Sequence, residues 1–115
     1  MELRHDDGET VRTLASDVET ADTYLARAKG LMFRRSIPDD YALAFRFSGV
    51  RRRDVHMLFV PFDIDAVWVA EGEVQRVKRL SAWTGHGGAP ADLLVELPAG
   101  AANPVRPGDR LWLAE

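Results

Sequence analysis

Apolar and polar residues alternate over short stretches of this chain, and turn-forming residues separate the stretches. A period of two predicts half-buried strands. Glu2 to His5 forms a first candidate strand, stopped by Asp6-Asp7-Gly8. Val11 and Thr13 share one face of a second, and Val18 and Thr20 continue or return it. Residues 42–47 place Leu43, Phe45 and Phe47 on one face and Arg46 on the other, and residues 48–53 then read as a polar turn. Residues 55–60 are a strand candidate carrying His56 and limited by Pro61. Ala66-Val67-Trp68-Val69 is apolar on both faces, the pattern of a buried strand. Glu71-Gly72 is a tight turn, and residues 74–80 return to make a hairpin. The glycine-rich stretch 83–90 reads as a loop, residues 92–97 as a strand and residues 111–113 as the closing strand. Ala101-Ala102 is expected in one helical turn.

Only residues 23–29 predict a helix. Asp22 caps its first turn, Leu25 and Ala28 lie three apart on one face, and Gly30 supplies the terminating residue. The expected fold is mainly β: a compact β-sandwich or barrel-like domain of about eight short strands with one short α-helix. At 115 residues the chain has the length of a single domain, 1–115, with enough core to fold without staples.

Composition narrows the chemistry. There is no cysteine, which excludes disulfides, thiol catalysis and thiolate metal sites. Fifteen Lys and Arg against eighteen Asp and Glu give a net charge of −3, so a bulk nucleic-acid partner is not expected. No run approaches the roughly 18 apolar residues that span a bilayer. The segment Met1-Glu2-Leu3-Arg4-His5-Asp6-Asp7 has no apolar signal core, which makes cytoplasm the expected location.

Four segments carry a resemblance. They are Arg27-Ala28-Lys29-Gly30-Leu31-Met32-Phe33-Arg34; Val55-His56 through Phe59 with Phe62 and Ile64-Asp65; Glu96-Leu97-Pro98-Ala99-Gly100; and Arg106-Pro107-Gly108-Asp109. In order and spacing, over roughly residues 18–113, they resemble the family called domain of unknown function 192. The resemblance implies a mostly β fold with one short helix and no established activity. It implies an export signal or lipid anchor in many relatives, neither of which this chain shows. Asp63 departs from the proline that relatives more often place before the isoleucine-aspartate.

The candidate ligand-binding residues are His56, Asp65, Trp83 and Glu96. His56 interrupts an apolar strand, either as a half-buried structural histidine or as a ligand-binding or acid–base group. Asp65 opens the next strand, nine residues on, where a return strand can carry it back to orient His56; otherwise it accepts backbone amides at a turn. Trp83 beside Gly85-His86-Gly87-Gly88 is a core cover or a platform for a flat ligand. Glu96 is a lone acid among apolar residues, aimed at solvent or into a pocket. Arg51, Arg52 and Arg53 form a candidate anion-binding patch if neighbouring arginines join them, and a solvated face if not. A metal held by His56, His86 and Asp65 is chemically permissible, but no His-x-His pair supports it; no metal or cofactor is expected.

Three functions fit. The leading one is a small β domain that binds a small molecule or protein at a cleft near His56, Asp65 and Trp83 without catalysis. The others are a hydrolase of a carbohydrate or similar polar substrate, for which His56 is the best residue and Asp65 with Glu96 an acid pair that only their presence recommends, and a protein or anionic-polymer module using the arginine-rich turns.

Overall fold

The computed structural model describes residues 1–21 and 30–115. The helix expected over residues 23–29 lies outside the described residues. Eight strands follow in chain order: β1 (Glu2–Asp6), β2 (Val11–Ala15), β3 (Asp17–Thr20), β4 (Tyr41–His56), β5 (Ile64–Ala70), β6 (Glu73–Leu80), β7 (His86–Pro98) and β8 (Arg110–Ala114). They form one open sheet in the order β2-β1-β8-β6-β5-β7-β4-β3. The mainly β expectation therefore holds, with the strands in a single sheet. No helix among the described residues is long and apolar enough to cross a membrane.

The β5–β6 hairpin forms where expected. Glu71 (φ 51°) and Gly72 (φ 82°) both take positive φ, the backbone of a primed two-residue turn whose twist matches the strands. A side chain at Gly72 would also meet the Arg110 guanidinium at 2.6 Å and displace it, while the positive φ is what favours glycine there.

Both faces of the sheet centre are buried, because two apolar layers form. On one face Val67 and Val69 of β5, Val95 and Leu97 of β7 and Ala42 of β4 meet Leu3 of β1 and Leu111 of β8. Leu3 and Ala42 belong to strands far apart in sheet order, so the sheet curls around this cluster. On the opposite face Ile64, Ala66 and Trp68 of β5 join Leu43 and Phe45 of β4 and Leu94 of β7. Residues 31, 57 and 60 and the outer half of β4 and β7 cover that face.

That outer half corrects two expectations. Residues 48–53 are not a turn: β4 runs through them, with an irregularity between Arg46 and Arg51 where the register against β7 shifts. Residues 86–90 are not a loop: His86 to Ala91 pair with Arg51 to His56. The resulting two-stranded arm is fastened over β5 and β6 by side chain to backbone hydrogen bonds. Trp68 Nε1 donates to Arg53 O at 2.7 Å, Arg76 to Gly88 O at 2.9 Å and Lys78 to His86 O at 2.7 Å. At Gly88 a Cβ would meet an Asp54 carboxylate oxygen at 2.1 Å, so a larger residue there would displace the exposed Asp54 and Arg52 side chains. Pro90 is tolerated because this half of β7 has a ladder partner on one side only.

The expected strand over residues 55–60 stops at His56. Met57 to Val60 form a turn closed by Val60 N to Met57 O at 3.0 Å, with Phe59 at φ 61°. Around Ala101-Ala102 the backbone makes successive turns, closed by Ala101 N to Pro98 O and Asn103 N to Gly100 O.

Candidate functional site

Beneath the arm lies a cavity of about 430 Å³. Its apolar walls come from Leu31 and Met32, from Phe45 and Phe47 of β4, from Val55 and Met57, and from Leu94 of β7. Its polar lining is Arg52, Arg53, Asp54, His56 and Glu96. This volume falls in the lower part of the roughly 300–1,000 Å³ range of small-molecule sites.

Glu96 sits at the sheet centre. It pairs across the ladders with Leu43 of β4 and Ala66 of β5, both apolar. Only 6% of it is exposed. Among the described residues no hydrogen-bond donor reaches its carboxylate. Burial pushes its pKa up to about 7, against a downward pull from Arg34. A carboxyl near neutrality inside an apolar cavity can exchange a proton or accept a donor from a ligand.

The charged groups around it are engaged elsewhere. Arg34 donates to Glu19 at 2.7 Å and to the Tyr41 hydroxyl at 2.9 Å, and the Tyr41 hydroxyl donates to the same Glu19 oxygen at 2.6 Å. The hydrogen bonds from Arg34 and Tyr41 hold the Glu19 carboxyl below its usual range. Arg52 pairs with Asp54 at 2.9 Å. Arg53 donates to the carbonyls of Gly49 and Ala91 and lies 3.9 Å over the Phe47 ring. Arg51 is exposed and pairs across the ladder with Ala91.

His56 ends β4 and is exposed, not half-buried. Its Nδ1 accepts Leu58 N at 3.3 Å, and it faces the exposed His86 across the β4–β7 ladder. The structure therefore brings His56 and Glu96 to one cavity.

It does not bring Asp65 there. Asp65 belongs, by strand alternation, to the face of Val67 and Val69, opposite to that of Glu96. It is buried and bonded to the Arg79 guanidinium, to Gly100 N at 2.9 Å and to Ala102 N at 3.0 Å. A shared His56–Asp65 cleft and an Asp65–Glu96 acid pair are both corrected by this placement. The turn-accepting alternative for Asp65 is the observed one. Among the described residues no three His, Asp or Glu side chains are grouped to hold a metal.

Trp83 also lies away from the cavity lining. It is exposed, at φ 67°, and its ring meets Phe59 edge-on at 6.3 Å. Phe59 in turn stacks on Phe33 at 5.0 Å, and Phe33 also has positive φ. Three bulky residues thus hold a backbone region that such side chains rarely adopt. Phe33 N to Phe59 O at 2.7 Å and Trp83 N to Val60 O at 3.0 Å fix the three loops together. Asp63 accepts Ala82 N at 2.8 Å and ties the neighbouring loops through a side chain.

The family model for DUF192, described as an uncharacterised ACR, matches residues 5–113. The chain belongs to the DUF192 family. No curated protein matches it. Two solved structures are similar. One, from Sinorhizobium meliloti 1021, is described as a candidate transcription regulator; it is 25% identical, with a TM-score of 0.84, covering 96% of this chain and 91% of that one. The other, of unknown function, is from Novosphingobium aromaticivorans DSM 12444; it is 20% identical, with a TM-score of 0.82, covering 98% and 84%.

Much of the DUF192 pattern in this chain builds framework. The Glu96–Gly100 segment delivers the amide that Asp65 accepts. The Arg106–Asp109 turn is closed by Arg106 N to Asp109 Oδ2 at 2.9 Å, and the same oxygen lies 2.8 Å from Nε2 of the fully buried His5. Burial pushes the Asp109 carboxyl up, but the bonds from His5 and Arg106 outweigh it and hold it below the usual range. No local pattern points to this His5–Asp109 pair, because the two lie at opposite ends of the chain. Glu96 is the DUF192 segment residue that faces a cavity with no partner among the described residues.

Proposed function

We propose that this DUF192 domain binds a small, mainly apolar molecule in the cavity above Glu96, without catalysing its conversion. The observation that carries this reading is the buried carboxyl on the cavity floor, which has no partner among the described residues. A buried carboxyl left unbonded costs stability, since an unsatisfied buried polar group costs about 1–3 kcal/mol and a charged one more. A ligand donor offsets that cost.

Neither other expectation has comparable support. The hydrolase reading needs two titratable groups on one substrate atom; Asp65 is bonded on the opposite face of the sheet, and His56, which lines the same cavity as Glu96, is exposed at the end of β4. The anionic-polymer reading retains Arg51 and Arg52, which are exposed, whereas Arg53 and Arg76, which would extend the patch, hold local carbonyl and ring partners.

Nuclear magnetic resonance with a panel of small aromatic and aliphatic molecules tests the reading. Methyl signals of Leu31, Met32, Val55 and Leu94 are expected to shift on saturable binding. A ligand at about 100 times its Kd should also stabilise the domain by roughly 2.7 kcal/mol. Shifts confined to the surroundings of Trp83 or Asp65, or no saturable shifts at all, would sink it.

A further inference from the structure

Given the cavity as a binding site, the chemistry of its floor points to a ligand class. We infer that the cavity takes a small organic ammonium ion, its charged head on the Glu96 carboxylate and its apolar body against Phe45, Phe47, Met32 and Met57. The inference rests on the proposed ligand-binding role, and it adds the sign of the ligand's charge.

The first argument is charge balance. Around the floor each described element contributes either apolar groups or charges already engaged. Leu43 from β4 and Ala66 from β5 flank Glu96 across the ladders. Arg34, which acts on Glu96 electrostatically, gives its hydrogen bonds to Glu19 and Tyr41. From the arm, Arg52 and Asp54 neutralise each other, Arg53 is bonded to backbone carbonyls, and His56 sits exposed with Nδ1 accepting Leu58 N. Among the described residues, Glu96 is left as the charge on the cavity floor without a hydrogen-bonding partner.

The second argument is donor and acceptor matching. An ionised carboxylate only accepts, and an ammonium head only donates, with three protons. An anionic ligand would be repelled from the floor. A neutral hydroxyl would make one bond without the added attraction of opposite charge, and charge-assisted bonds are roughly twice as strong. Of the rest of the wall, Phe45 and the Met32 and Met57 thioethers suit a cation too, since aromatic rings attract cations through their faces and thioethers are polarisable, while Arg53 already covers the Phe47 ring.

Binding then couples to a proton. The carboxyl, raised by burial to about 7, must ionise to receive an ammonium head, so the domain releases a proton as the ligand enters. The release approaches one proton per ligand well below pH 7 and vanishes well above it.

Calorimetry and methyl shifts on the whole chain test this with three probes of similar size: 2-phenylethylamine, 2-phenylethanol and phenylacetate. At pH 8 the amine is expected to bind about tenfold or more tighter than the alcohol, with phenylacetate weakest. Its affinity should drop by about tenfold per pH unit below pH 6, and titrations in buffers of different ionisation enthalpy should report proton release at pH 6.5. Glu96→Gln should lose about tenfold or more for the amine while changing the alcohol by less than about threefold. The proton count is read on the unmodified chain, so the test does not depend on the variant folding. Equal binding of amine and alcohol, or amine binding without proton release, overturns the ammonium assignment but leaves the cavity as a site. If none of the three probes moves the cavity methyls, the ammonium assignment falls; the fragment panel decides the cavity reading separately.

Discussion

Asp65 and Glu96 sit on neighbouring strands of one sheet, and both are almost fully buried. Asp65 faces the curled side and holds a guanidinium and two backbone amides. Glu96 faces the opposite side and holds no partner among the described residues. Burial alone does not tell a structural acid from a functional one; the donors around it do. A carboxylate that organises three donors fixes a turn. A carboxyl that meets only Leu43, Ala66 and a cavity leaves its bonding capacity for something else.

The contrast breaks most sharply on removing Asp65. Asp65→Ala leaves Arg79, Gly100 N and Ala102 N without their acceptor and should cost about 3 kcal/mol in urea unfolding, with Arg79 half-exposed and so contributing little of that. A loss under about 1 kcal/mol would show that the turn around residues 100–102 holds itself.

Glu96→Gln should act in the opposite direction. The native pKa of Glu96, about 7, lies above its ordinary 4.5. The folded state therefore binds more protons than the unfolded one between these values, and stability falls as pH rises through that window. Below pH 4.5 the penalty is absent, and above pH 7 it is complete, about 3 kcal/mol. Replacing the acid by an amide removes that penalty, less about 1 kcal/mol for burying the amide, so a gain of about 2 kcal/mol is expected at pH 8. At pH 4 no gain is expected. Parallel stability–pH curves for the two proteins would refute the raised pKa.

A smaller effect links the arm to the contrast. Trp68→Phe deletes the bond to Arg53 O and should cost about 1 kcal/mol. A looser arm admits water, so the Glu96 carboxyl should titrate closer to its ordinary value; its carboxyl carbon signal followed against pH reads the change. The smallest effect belongs to Trp83→Ala, an exposed site whose ring touches Phe59. Stability should change by less than about 0.5 kcal/mol, and the Glu96 carboxyl should keep its titration. A larger change would tie the aromatic loops to the cavity floor.

Parts of this were written locally. Alternation over residues 42–47, the apolar run Ala66-Val67-Trp68-Val69 and the Glu71-Gly72 turn depend on side-chain spacing and positive φ, which neighbours in sequence decide. Arg51-Arg52-Arg53 and Gly87-Gly88-Ala89-Pro90 misled for the opposite reason. Polar runs and glycines usually mark turns, but here the arginines pair with residues on their own arm and Gly88 makes room for Asp54. Of the candidate site residues, His56 and Glu96 meet at one cavity, while Asp65 and Trp83 lie apart from it.

The sequence by itself determined the mainly β class, the central hairpin, the DUF192 segments and the small set of titratable side chains that a chain without cysteine can use. Only the tertiary structure decided which of two buried acids is satisfied. Strand alternation assigns a side chain to one of two faces, but the curl of the sheet and the fold of the arm decide what each face meets. Asp65 found its donors in a turn 35 residues away, and Glu96 found an apolar cavity.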